Sequence, residues 1–348
     1  MPRLFQSLKG CRSDLVLAPL PMQKGCTRKI NVANYHRTPN KLIQGQIVSH
    51  IPVVYNDAYD ICVPPTHRFN GTKFSELVRH LQRSDFSKKL DFIHSSPVRY
   101  EDIRRAHANE YVQRVATGAL LREEVRQINL PMNTQLIKRS FLALSGTYTT
   151  ALKALETGVA CHAAGGTHHA HYSHGSGFCV FNDLAFTALN LIEHDLVETV
   201  LILDLDVHQG DGTIDICHGK RGIYTCSLHC EKNFPFQKRQ GTHDVPLDCH
   251  LEDNAYLDQL HRTLGDISRD FTPQLVLYDA GVDVFLGDQL GNLDLTLEGI
   301  FKRDCIVLEH FKNFNIPIAT VIGGGYSPSD TDIARRHLSI FRAATNIF

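Results

Sequence analysis

The chain lacks most of the features that would assign it a class at a glance. Its 36 Lys and Arg residues are balanced by 37 Asp and Glu, a formal net charge of −1 over 348 residues. That balance argues against a dedicated nucleic-acid binder, which would carry a basic face. No apolar run approaches the roughly eighteen residues of a membrane span, and no secretory signal peptide stands at the amino terminus. Ten cysteines are scattered from Cys11 to Cys305 without one CxxC pair. Such thiols suit a reducing compartment rather than a disulfide framework. No internal repeat and no low-complexity linker divides the chain. Its length is enough to bury a large core, and one α/β domain accounts for it.

Residues 1–50 differ from the rest, with eight Lys/Arg against one acid, Asp14, and no clear period. The composition is basic and acid-poor like a transit peptide but lacks serine richness. It reads as a disordered or loosely docked extension, with a targeting role as the alternative. The compact domain is expected over residues 51–348. The cytoplasm is the expected location; an organelle, or the nucleus of a eukaryote, is the alternative.

Beyond the extension, apolar strands are expected at Ile51–Val54, Val200–Leu205, Ile223–Leu228, Leu275–Tyr278 and Ile318–Ile322. Helices are expected over Phe74–Leu81, Ile103–Thr117 and Ser140–Thr157, the last closed by Gly158. Continuous Val/Ile/Leu strands alternating with helices predict a parallel sheet covered on both faces.

The most informative segment is Leu203-Asp-Leu-Asp-Val-His-Gln-Gly-Asp-Gly-Thr213. An apolar strand runs out into Asp204, Asp206, His208 and Asp211. Alternate residues of an extended chain point the same way, so Asp206 and His208 face one point from a single strand end. Three carboxylates on so apolar a strand cost several kcal/mol unless paired or bound to a cation. A solvated loop is the bland alternative. Other strand ends carry candidate chemistry too: Ser227 and His229, Asp279 through Asp283, and Gly323-Gly-Gly-Tyr326. In an open parallel sheet the ligand site lies beyond these carboxyl ends.

Twenty histidines is high for this length, and five fall between His162 and His174. Adjacent His168 and His169 follow Gly165-Gly166-Thr167, a loop whose glycines let backbone approach a substrate closely. An imidazole beside a bound metal can take a proton from water and pass it on. Asp204 and Asp211 are the carboxylates expected to fix the two ring tautomers. His162, His171 and His174 read as loop or shell residues.

Gly165-Gly-Thr-His-His-Ala170, Gly177-Phe-Cys-Val-Phe-Asn-Asp183, the Asp204–Thr213 run, Asp279-Ala-Gly-Val-Asp283 and Gly323-Gly-Gly-Tyr326 together resemble the ordered motifs of the zinc-dependent histone deacetylase family. The resemblance runs from about Val53 to the C-terminus and looks strongest toward class IV-type and bacterial deacetylase-like members. It implies a single-domain α/β arginase/deacetylase fold, with a mostly parallel eight-stranded sheet and helices on both faces. It implies a catalytic zinc held by Asp206, His208 and Asp283. The acid-rich donor set leaves iron(II) open. It gives His168 and His169 the catalytic histidine positions with Asp204 and Asp211 behind them, and Tyr326 the substrate-carbonyl position. Gly177, Phe178, Phe234 and Leu290 match the acyl-lysine channel and its rim. A monovalent cation, K+ or Na+, is implied near Asp204, Asp206, His208, Ser227 and Leu228.

The resemblance implies hydrolysis of acetyl or longer acyl groups from lysine side chains of proteins or peptides. An acetylpolyamine or other small-amide deacetylase is the alternative. A ureohydrolase would need a second metal and would leave Tyr326 idle, and a non-catalytic binding module would be expected to have lost a ligand. Thr167, small for its position, suggests a wider inner acyl pocket. The segment Gln127–Met132 lacks the rim aspartate of nuclear deacetylases, which argues against a histone-tail role.

Overall fold

The computed structural model describes residues 50–95 and 98–348. The basic extension expected over residues 1–50 lies, apart from His50, outside the described residues. Eight strands form one sheet: β1 (Ile51–Tyr55), β2 (Leu90–His94), β3 (Val159–His162), β4 (Val200–Asp204), β5 (Ile223–Cys230), β6 (His243–Leu247), β7 (Leu275–Asp279) and β8 (Ile318–Val321). Their order is β2-β1-β3-β8-β7-β4-β5-β6. Every pairing is parallel, so the expected mostly parallel sheet is wholly so. The chain leaves β3, skips two positions and returns at β4; β7 and β8 later fill the gap. That crossover opens a crevice at the carboxyl ends of the central strands, where ligands bind in such sheets.

Ten helices accompany the strands among the described residues: α1 (Lys73–Arg83), α2 (Tyr100–Ile103), α3 (Asn109–Thr117), α4 (Arg122–Ile128), α5 (Thr134–Thr157), α6 (Asp183–Glu193), α7 (Asp211–Cys217), α8 (Asp253–Asp270), α9 (Leu297–Asn313) and α10 (Asp330–Ile347). None is long and apolar enough to cross a membrane. Strands β3, β4, β7 and β8 are buried along their whole length, as their unbroken apolar runs require when helices cover both faces.

Two helix expectations are corrected. The helix read over Ile103–Thr117 is only α3, cut off by a break at 104–108 from α2, which ends at Ile103. His107 turns inward there: its Nδ1 donates to the His171 carbonyl (2.9 Å) and its Nε2 accepts from the Asn182 N–H (2.9 Å). The Ala108 N–H also leaves the helical ladder for the Tyr172 carbonyl (2.7 Å). Helix α5 begins at Thr134, not Ser140, because Asn133 caps it by accepting from the Leu136 N–H (2.8 Å). It ends as expected at Gly158, in the left-handed conformation at φ +85°.

Candidate active site

Strand β4 delivers Asp204 and, just beyond its end, Asp206 and His208; β7 delivers Asp279 and then Asp283. Asp206, His208 and Asp283 converge, their ligand atoms all within 4.8 Å of one another and all three residues buried. His208 Nδ1 lies 3.0 Å from Asp206 Oδ1 and 3.1 Å from Asp283 Oδ2. Remaining contacts fix the carboxylates: Asp206 Oδ2 accepts from the Gly324 N–H (2.7 Å) and Asp283 Oδ1 from the Val207 N–H (2.9 Å). Two buried carboxylates thus face a single ring proton. The deficit of positive charge at a closed Asp/His/Asp set is what a divalent cation would fill. The residues fit the metal the sequence implies.

Behind this trio stand two histidine–aspartate pairs. His168 Nδ1–H donates to Asp204 Oδ2 (2.8 Å) and His169 Nδ1–H to Asp211 Oδ1 (2.7 Å). The two rings meet through their Nε2 atoms at 3.1 Å, so one must donate to the other. Burial alone would lower His168, but the Asp204 and Asp206 carboxylates hold it well above the ordinary histidine range. Burial, then the His168 charge, pushes His169 down to about 4. These directions favour His168 as the charged donor and His169 as the neutral acceptor in the Nε2 contact. Asp211, bonded to His169 and also 3.3 Å from His171 Nε2, is held well below the usual carboxylate range. The reading of His171 as a shell residue agrees with this, and His162 lies in the core, bonded to Tyr59 (2.8 Å) and Thr147 (3.0 Å).

Tyr326 is buried, its ring 6.3 Å from that of His208 and 5.8 Å from that of Phe178. Phe234 stands against the other side, 4.8 Å from the His169 ring. Leu290 is tied to the Phe234 loop, its carbonyl accepting from Asn233 Nδ2 (2.8 Å). Gly177 and Phe178 have φ of +52° and +66°. For an aromatic residue that region costs about 1–3 kcal/mol, a strain found where a site demands one orientation. The Phe178 N–H, bonded to the Ile128 carbonyl (2.8 Å), helps hold it. For the implied monovalent cation, register pairs Asp204 with Ser227 across β4 and β5. This brings Asp204, Ser227 and Leu228 side by side, with the Ser227 hydroxyl 3.1 Å from His229 Nδ1.

Sequence reasoning gave no role to several buried groups that shape the site. Asp183 accepts from the Gly166 N–H (3.1 Å), the Thr167 N–H (2.7 Å) and the Thr167 hydroxyl (2.6 Å), fastening the loop that carries both histidines. Asp288 accepts from the backbone N–H of Leu290 (3.0 Å) and Tyr326 (2.8 Å), joining the rim to the tyrosine loop. Asp279 is fully buried with neither oxygen hydrogen-bonded, and its Oδ2 is 3.9 Å from His168 Nδ1. With His168 and Asp204 it forms a second three-donor group, but the His168 Nδ1–H is already committed to Asp204. Side chains at Gly166 and Gly323 would collide with the Asp279 carboxyl, so these two left-handed glycines are required for the loops to close over it. Asp183 and Asp279 sat inside quoted motifs and could have been found there. Lys73 and Arg139, which also line the cavity, lie on helices outside any motif.

The sequence profile of the histone deacetylase domain matches residues 67–342. The chain belongs to the histone deacetylase family. It is 39% identical over 298 residues to an uncharacterized protein of Picosynechococcus, covering 85% of this chain and 99% of that one. It is 26% identical to histone deacetylase 2 of Arabidopsis thaliana, covering 95% of this chain and 88% of that protein. An HDAC homolog from Aquifex aeolicus superposes with a TM-score of 0.71 at 23% identity, over 85% of this chain and 84% of that one. That likeness shows the shared fold. Histone deacetylases are hydrolases, generally zinc-dependent, so a deacetylase is the general activity this family member carries.

Proposed function

We propose that this histone deacetylase-family protein is a zinc-dependent amidohydrolase that removes short acyl groups from lysine side chains. The observation that carries the reading is the convergence of a buried Asp/His/Asp trio with two His–Asp pairs, His168–Asp204 and His169–Asp211. Asp206, His208 and Asp283 would hold the metal, which when bound supplies Lewis acidity to the acyl carbonyl and to the attacking water. His169, its ring oriented by Asp211, exchanges the His168 contact at Nε2 for water, takes a proton from that water and returns it to the departing lysine amine. His168, paired to Asp204, stays charged and offsets negative charge developing on the substrate. The Tyr326 hydroxyl donates to the acyl oxygen, an interaction typically worth about 2.7–4 kcal/mol in the transition state. Phe178 and Phe234 hold the aliphatic lysine stem between them, with Leu290 at the rim.

The catalytic unit is residues 51–348. K+ or Na+ near Asp204, Ser227 and Leu228 is part of the same reading. The scattered cysteines without a CxxC pair support a reducing compartment, the cytoplasm. The cavity lined by His168, His169, Phe178 and Tyr326 is about 30 Å³, which favours a short acyl group over the longer chains that the small Thr167 suggested.

The test is hydrolysis of acyl-lysine peptides and acetylspermidine by the zinc-loaded protein and by Tyr326→Phe. Lysine-peptide turnover is expected, abolished by a chelator, restored by zinc, and lowered roughly 10²–10³-fold in the variant. Turnover of acetylspermidine alone would move the substrate to polyamines. An unaffected Tyr326→Phe would remove the oxyanion role.

A further inference from the structure

The inner end of the cavity carries two cations for which the mechanism above has no use. Lys73, at the start of α1, and Arg139, in α5, are both buried and both line it. Among the described residues neither makes an ion pair. Lys73 Nζ reaches only the Gly323 carbonyl at 3.4 Å, and its remaining neighbours are ring faces, those of Phe69 and Phe74 at 5.6 Å and of Tyr326 at 5.8 Å. The Arg139 guanidinium lies 4.5 Å above the Phe74 ring and 5.6 Å from that of Phe69, and its Nε has no hydrogen-bond partner. Burying one unpaired cation costs several kcal/mol, and two side by side repel each other as well. Asp206, Asp283 and Asp288 attract Lys73 from a distance, and Asp183 and Asp60 attract Arg139, but none comes close enough to form an ion pair with either cation.

Resting on the lysine-deacylation reading, we infer that this chamber recognises a carboxylate at the far end of the acyl group, and that the preferred substrates are short dicarboxylic acyl-lysines, malonyl or succinyl. Guanidinium and ammonium donors satisfy a carboxylate with charge-assisted hydrogen bonds. The same cavity is lined by His168, His169 and Tyr326 and measures about 30 Å³, so the carboxylate must lie close to the reacting carbonyl, one or two methylenes away as in malonyl and succinyl groups. A fatty chain at this depth would also lay hydrocarbon against two unsolvated charges. Hydrolysis is balanced as for any amide: water's oxygen joins the acyl carbon, the C–N bond breaks, both of the water's protons end on the lysine amine, which leaves as ammonium, and malonate or succinate leaves with both carboxylates ionised.

The experiment compares kcat/KM for one lysine peptide in acetyl, malonyl, succinyl and octanoyl forms on the zinc-loaded full chain. The wild type is expected to favour malonyl or succinyl over acetyl roughly 10-fold or more. Lys73→Met and Arg139→Met are each expected to pull that ratio down to about one or below, and Lys73→Arg to preserve it. A ratio measured within one enzyme cancels any general loss of folding or metal, and the wild-type ratio stands even if a variant does not fold. Acetyl or octanoyl as the best wild-type substrate overturns the inference and leaves the deacylase reading intact, as does free acetate acting as an inhibitor with no preference among acyl groups. A variant ratio that does not move also overturns it. No turnover of any lysine peptide brings down both.

Discussion

Arg303 and Asp304 are as deeply buried as Asp206, His208 and Asp283, yet the two clusters are satisfied in opposite ways. The Arg303 guanidinium donates to the carbonyls of Leu205 (3.3 Å), Gly281 (2.6 Å) and Ala280 (3.2 Å), and to Asp304 Oδ1 at 2.9–3.0 Å. Asp304 also accepts from the Tyr278 hydroxyl (2.7 Å) and the Ser339 hydroxyl (2.6 Å). Positive and negative charge balance, and every partner belongs to the protein. The trio has two carboxylates for one imidazole proton, and nearby Asp279 has no hydrogen-bond partner at all. A closed network tolerates burial because its charges are paired, and here it pins the ends of β4 and β7 from behind. The trio, in front of those same ends, is left short of positive charge, which marks it as a receptor rather than a brace.

The largest effects should separate the two clusters. Arg303→Met strands Asp304 without its cation, so a loss of about 3–5 kcal/mol in unfolding free energy is expected, read from denaturant midpoints. Asp283→Asn should do the reverse. Removing one of two facing carboxylates leaves metal-free stability unchanged or raised, while kcat/KM falls about 10³-fold, several kcal/mol of barrier. Equal destabilisation by the two changes would erase the distinction between brace and receptor.

His107 offers an intermediate case, a buried group satisfied only when neutral. Burial pushes it down to about 4 from 6.5, because its Nε2 must accept from the Asn182 N–H. With the folded value depressed, the unfolded chain takes up the proton first as pH falls. The contribution is therefore full above about 6.5 and is lost progressively toward 4, up to about 3 kcal/mol in all. Urea midpoints at pH 7.5 and 5 should converge in His107→Gln relative to the wild type. An unchanged gap would assign the acid sensitivity to other groups.

The smallest effect is expected at Asp288, which touches no substrate but orients Tyr326 through its backbone. Asp288→Asn should lower kcat roughly tenfold, with KM little changed, as is typical when the support of a site residue is loosened. Combining it with Tyr326→Phe should cost little more than Tyr326→Phe alone. Full additivity in that double variant would mean Asp288 acts on something other than the tyrosine.

What was legible beforehand followed local rules. Strands β4, β5, β7 and β8 announced themselves as unbroken apolar runs, whereas the four-residue central strand β3 went unread, and Asp206 and His208 could be placed together because alternate residues on one strand share a face. The pairing of His168 with Asp204 and of His169 with Asp211 could be anticipated because each ring needed a carboxylate. Strand β6 escaped notice because Pro246 interrupts it, which only an edge position tolerates. Strand β2, at the opposite edge, alternates too weakly to stand out. The break between α2 and α3 was invisible because it follows from His107 meeting Asn182 and His171, residues far along the chain.

The sequence by itself determined strands β1, β4, β5, β7 and β8, the donor types at their ends and the family, since each rests on residues within one strand or one loop. Tertiary structure alone decided which distant groups meet. Asp183 fastens the histidine loop, Asp288 holds Tyr326, and Lys73 and Arg139 arrive from two helices at the foot of the cavity. The physical reason is range. Strand periodicity and ligand spacing are short-range properties written in neighbouring residues, whereas the burial that leaves a lysine and an arginine without an ion-pair partner exists only once the helices pack over the sheet.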